Sequence, residues 1–119
     1  MHRRGGNCPN TLEVLRQLLE SSQDSTLHLT LCAVLPAHES LSTRQIKSSL
    51  GKGIDLTHCI HREGYREAAS SYVIRSQSTG TRTLINYNNL PEMTYDEFVA
   101  VADRLADVIE WCHFEAGLT

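Results

Sequence analysis

The chain has 119 residues, room for one modest domain and not for two. Hydrophobic residues make up 40% and charged residues 21%, and the formal net charge is −3, so no strong basic field exists to hold nucleic acid or an anionic membrane surface. No apolar run approaches the length of a membrane span, and Met1-His2-Arg3-Arg4 has no apolar segment after it, which reads as no secretory signal.

The first element opens on Arg4-Gly5-Gly6-Asn7-Cys8-Pro9-Asn10-Thr11. Two glycines let a backbone come close to a ligand, because no Cβ blocks the approach. Asn7 and Asn10 each offer donors and an acceptor, and a helix start adds orphan N–H groups. The combination suits a neutral, hydroxyl-rich molecule such as a sugar. Either asparagine would also serve as a helix cap, a use compatible with binding. Leu12, Val14, Leu15, Leu18 and Leu19 recur at helical spacing and predict an amphipathic helix over about residues 10–21. Ser21 to Ser25 reads as a polar loop.

Leu27 to Leu35 is a nearly continuous apolar run stopped by Pro36, the pattern of a buried strand in a parallel sheet. A second helix is predicted from about Ser42 to Leu50, with Ile46 and Leu50 facing inward. Gly51-Lys52-Gly53 stops it. That triplet lacks the spaced upstream glycine and the Lys-Ser/Thr pair of a P-loop. Ile54 to Ile60 reads as a short strand. His58-Cys59-x-His61 falls there, but neighbours on a strand alternate faces and no Cys-x-x-Cys pair accompanies it, so no metal site is assigned. Ala69 to Ile74 and Thr81 to Tyr87 form a hairpin signal, with Gly80 available for a positive φ at the turn. The hairpin, with polar residues alternating, reads as an appendage standing off the sheet.

Asn88 to Pro91 is a turn, and Thr94 with Glu97 makes a capping box. Phe98, Val101, Leu105, Val108 and Ile109 follow as one helical face. Glu110 to Glu115 is a last short strand. The acidic helix surface of Asp96, Glu97, Asp103, Asp107 and Glu110 reads as a solvated face. Alternation of helices and strands means an α/β layered sheet. Cys8, Cys32, Cys59 and Cys112 are scattered, mostly in or beside apolar runs, and read as reduced thiols of a cytoplasmic protein.

Five of these pieces, in order, resemble the PfkB (ribokinase-like) carbohydrate kinases, the ketohexokinase-like members most closely. Gly5-Gly6-Asn7 with Asn10 resembles the Gly-Gly-Asn-x-x-Asn signature ahead of a Leu/Val-rich helix. Leu29 to Leu35 is similar to the strand that follows, and Gly53-Ile54-Asp55 to a Gly-Val-Asp step. Ser70 to Ile74 and Gly80 to Ile85 look like the paired lid strands. Trp111-Cys112-His113-Phe114-Glu115 resembles a strand that ends in Glu-Gly-Arg.

The resemblance implies a partial ribokinase-like fold over residues 1–119: a mainly parallel α/β sheet, flanking helices and a β-hairpin lid at about 68–87. It implies ATP-dependent phosphoryl transfer to a hydroxyl of a ketohexose- or ribose-like sugar lying between sheet and lid, with ATP and Mg as cofactors. Gly6, Asn7 and Asn10 match sugar-contacting positions. Arg82 matches a lid arginine that reaches nucleotide phosphates, a use suited to a guanidinium fork. Lid strands of the family also often pair two copies into a homodimer.

Three departures accompany the match. Relatives begin with a strand carrying a sugar-contacting aspartate, and nothing here precedes Met1. Relatives carry an Asp-Thr-x-Gly-Ala-Gly-Asp motif that supplies the anion hole and the catalytic base, and these 119 residues contain none. Ala116-Gly117-Leu118-Thr119 stands where relatives have Gly-Arg-Asn, so the phosphate-facing arginine is missing at Gly117. The expectation is a truncated or mis-joined product with a partial sugar site, no catalytic residue, no metal ligand and no activity alone. Two other readings stay open. One is a non-catalytic sugar-binding or protein-interaction module that pairs through its hairpin. The other is a poorly folded product whose parallel sheet lacks its covering strands.

Overall fold

Gly6 sets the first helix. Its φ of +96° is a conformation that residues with a Cβ avoid, and its carbonyl accepts the N–H of Asn10 at 3.1 Å. Helix α1 therefore runs over Asn7–Ser22, about a turn earlier than the apolar spacing marks. Pro9 is tolerated there because first-turn N–H groups have no intrahelical acceptor. Gln23, at φ 56°, closes the helix with its N–H on the Glu20 carbonyl. The computed structural model describes residues 3–23 and 26–115. Part of the predicted loop at Asp24 and Ser25, and the departure after Glu115, lie outside the described residues.

The rest is mixed α/β. Strands β1 (Leu29–Thr30) and β2 (Val34–Pro36) lead to helix α2 (Leu41–Leu50). Strands β3 (Ile54–Asp55) and β4 (Ile60–Arg62) follow, then β5 (Ser70–Arg75), β6 (Arg82–Tyr87) and helix α3 (Tyr95–Leu105). β1 pairs with β3 and β2 with β4, both in parallel, whereas β5 and β6 are antiparallel.

The two long strands expected at 27–35 and 54–60 are each broken in the middle. Thr30 pairs with Asp55 and Val34 with Ile60, so one chain advances four residues while the other advances five. Asp55 causes the mismatch. Its Oδ1 accepts the Thr57 N–H at 2.9 Å and the Thr57 hydroxyl, a local turn that competes with the ladder. Pairing resumes through the Ile60 N–H on the Ala33 carbonyl at 2.9 Å.

Leu29, Leu31, Ala33 and Leu35 alternate with Thr30, Cys32 and Val34, and the first set all join the core. Leu31, Leu35, Leu50, Ile54 and Cys59 form its buried centre. Cys8 and Leu12 from α1 and Ile46 from α2 pack on it, so both helices cover one face. Burial raises the Cys59 thiol to about 11, which keeps it protonated and unreactive at neutral pH. All four cysteines are free.

Helix α2 is anchored at its start by buried polar groups that satisfy one another. Ser40 Oγ accepts the Thr43 N–H at 3.1 Å, and the Thr43 hydroxyl donates to the Pro36 carbonyl at 3.2 Å. Gly51, at φ +74°, ends the helix as expected. Helix α3 begins with the predicted capping box between Thr94 and Glu97.

Three expectations fail in the last third of the chain. The α3 face does not extend to Val108 and Ile109. The helix ends at Leu105, and the β-branched pair that follows has no described neighbour to bury it, both being exposed. Residues 110–115 form no strand, because no described strand lies alongside to supply a ladder, and all six are exposed. The hairpin does not present one polar and one apolar face. Tyr72, Ile74 and Ile85 lie on one side and Val73 and Leu84 on the other, and every residue of both strands is exposed.

Candidate functional site

Because α1 starts early, Asn7 and Asn10 are helical residues three apart, which puts them on one face of the first turn. Both are exposed. The turn beneath them is fixed by Arg4, whose Nη1 donates to the Pro9 carbonyl at 3.2 Å and whose Nη2 pairs with Glu13. Of the two glycines, only Gly6 is demanded by the backbone. Besides its positive φ, a Cβ there would lie 3.2 Å from Pro9 Cδ. A Cβ at Gly5 would meet open space.

The far end of the described chain meets this turn. Asn7 Nδ2 donates to Glu115 Oε2 at 3.4 Å, and Glu115 Oε1 lies 2.9 Å from His113 Nε2. The contact with His113, and then that with Asn7, hold the Glu115 carboxyl below the ordinary carboxylate range. Glu115 is thus an ionised hydrogen-bond acceptor and a poor general base at neutral pH. A carboxamide that donates and accepts, beside a carboxylate that only accepts and with Asn10 on the same helix face, matches neighbouring hydroxyls of a polyol. The sequence places Glu115 at a strand end and gives no sign that it faces Asn7, since the two are 108 residues apart.

Arg82 begins β6, directly opposite Arg75. Like charges in that register repel, so the pair favours an anion between or beside them. Arg75 was not legible as a site residue, because the turn register decides what stands opposite Arg82. Among the described residues, the hydrogen bonds of the hairpin's side chains stay within the hairpin. The structure therefore groups Gly6, Asn7 and Asn10 but does not bring Arg82 to them. Neither of two cavities among the described residues, of about 800 and 320 Å³, is lined by any of these four residues. No helix among the described residues is long and apolar enough to cross a membrane. Nor do the described residues contain three or more His, Cys, Asp or Glu grouped to hold a metal ion.

The chain matches no protein-family model, no curated protein and no solved structure.

Proposed function

We propose that the chain carries the acceptor side of an ATP-dependent carbohydrate kinase: a partial site for a ketohexose- or ribose-like sugar, without the groups that transfer the phosphoryl. The contact between Asn7 and Glu115 is the observation that carries this reading. It joins two of the stretches that resemble the PfkB carbohydrate kinases into one polar cluster beside Asn10. The mixed α/β architecture, the parallel pairing and the separate hairpin agree with the partial ribokinase-like fold expected from the sequence. Arg82, with Arg75, is the part of the chain suited to the phosphates of ATP, whose Mg would arrive with the nucleotide.

Phosphoryl transfer needs positioning, neutralisation of charge and a group to orient or deprotonate the nucleophile. The Asp-Thr-x-Gly-Ala-Gly-Asp motif that would provide the last two is absent from these 119 residues. Glu115, held ionised, does not replace the base. A coupled ATP-turnover assay of the purified chain with fructose and with ribose should show no rate above the buffer control. Sugar-dependent turnover would overturn the reading of an incomplete catalytic centre.

A second reading, a non-catalytic module that pairs through its hairpin, is favoured by the apolar side chains exposed on both hairpin faces. The two readings are compatible, since a lid that covers a sugar can also pair with a second copy.

A further inference from the structure

The sequence contains only two lysines, Lys47 and Lys52, and both line the same open groove of about 800 Å³. Lys47 stands in the last turn of α2, and Lys52 in the loop between α2 and β3. Three of the chain's six histidines, His28, His38 and His61, line the groove as well. The rings of His38 and His61 stack with centroids 3.5 Å apart. His38 Nδ1 also pairs with Glu63, and His61 Nδ1 lies 2.8 Å from the Pro36 carbonyl.

The counter-charge is thin. Among the described residues, Asp55 is the only carboxylate on the lining, and it is engaged by the Thr57 N–H and hydroxyl. Neither lysine forms an ion pair with a described residue. Two ammonium groups on a concave wall, neither ion-paired with a described residue and outnumbering the single described carboxylate there, bias the field in it toward positive.

The loop explains how Lys52 reaches that position. Gly51 takes the positive φ that ends α2. A Cβ at Gly53 would lie 2.6 Å from Arg16 Cδ, so glycine is what lets the Arg16 side chain of α1 cross the loop. Both glycines answer packing and backbone needs. Lys52, held between them, is exposed and has no such task. The triplet that fails as a P-loop thus still delivers an ammonium group to a groove.

We propose that this groove binds a small phosphate ester, with its phosphate shared by Lys47 and Lys52. A phosphate presents several acceptor oxygens, and each ammonium presents three donors. Leu29 and Leu56, both half-buried, offer apolar surface to the organic part. A space of this size falls within the usual range for small-molecule sites. The net charge of −3 disfavours a nucleic-acid polymer as the occupant. The groove shares no residue with Gly6, Asn7, Asn10 or Arg82 and stands independently of the proposed sugar site.

Having only two lysines makes the test direct. Reductive methylation with ¹³C-formaldehyde labels Lys47, Lys52 and the N-terminal amine while keeping their charge. The labelled chain is titrated with inorganic phosphate, ribose 5-phosphate and AMP at constant ionic strength. Both lysine signals should shift saturably, with the N-terminal signal unmoved. By calorimetry, the exposed double substitution K47Q/K52Q should weaken binding by about tenfold or more, with an unchanged far-UV circular dichroism spectrum. Tighter binding of AMP than of ribose 5-phosphate would identify a nucleotide as the occupant. Equal affinities would show that phosphate and sugar suffice, and either result supports the site. Shifts reproduced by potassium chloride alone, or a K47Q/K52Q chain that binds like wild type, would overturn it. Asn7→Ala should leave these titrations unchanged, which separates them from the sugar site.

Discussion

Leu50→Ala is expected to destabilise the fold by about 2–5 kcal/mol, the cost of removing a fully buried leucine from a core that can only partly collapse around the gap. Leu50 is 0% exposed and lies in the buried cluster with Leu31, Leu35, Ile54 and Cys59. A small domain has roughly 5–15 kcal/mol in total, so the variant would lose a large share of it. Leu50→Met, which nearly conserves volume, should cost less than about 1.5 kcal/mol. Urea denaturation followed by far-UV circular dichroism measures both. Tryptophan emission is the wrong probe, because Trp111 is 85% exposed in the folded chain. Equal midpoints for Leu50→Ala and wild type would mean that α2 does not sit on this core.

Acid should loosen α3 at one identifiable joint. Arg62, at the end of β4, donates to both oxygens of Glu97 at 2.5 and 2.8 Å and to the carbonyls of Pro91 and Glu92 at 3.0 and 2.6 Å. Glu97 also accepts the Thr94 N–H at 2.9 Å. The Arg62 hydrogen bonds, and then that N–H, pull the Glu97 carboxyl from an ordinary 4.5 down to about 2. A group whose folded pKa is depressed stabilises the fold above its unfolded pKa. That stabilisation is therefore complete above about pH 4.5 and is lost as pH falls toward about 2. The protection of the α3 amides against hydrogen exchange, measured relative to the intrinsic rate at each pH, should fall across this window while that of α2 changes less. Arg62→Ala should raise α3 exchange by about tenfold at pH 6, because it removes hydrogen bonds to a charged group. It should also flatten the acid dependence. An Arg62→Ala chain with the wild-type acid profile would show that the joint does not hold α3.

What the sequence reveals of this fold tracks how local the cause is. The capping box at Thr94 and Glu97, the positive φ of Gly80 and the glycine stop after Leu50 depend on a few adjacent residues, and each stands where expected. The parallel pairing also follows from the apolar run at 27–35. Its interruption does not, because it depends on the Asp55 side chain choosing Thr57 over the ladder. The failures at Val108, Ile109 and residues 110–115 share one cause. An apolar pattern records what a residue would gain from burial, not whether a neighbour is present to bury it. The candidate site divides the same way. Asn7 and Asn10 are close in sequence and share a face. Glu115 and Arg75 joined them as candidates only through contacts across the fold.

The most direct measurement is calorimetric titration of the chain, and of Asn7→Ala and Asn10→Ala, with fructose and with ribose. Asn7, Asn10 and Glu115 should bind at least one of these sugars saturably, and each substitution should weaken that binding by about tenfold or more, because a polar partner is left unmade. Titrations that are identical for all three chains, or silent with every sugar, would contradict an acceptor site on the first turn of α1.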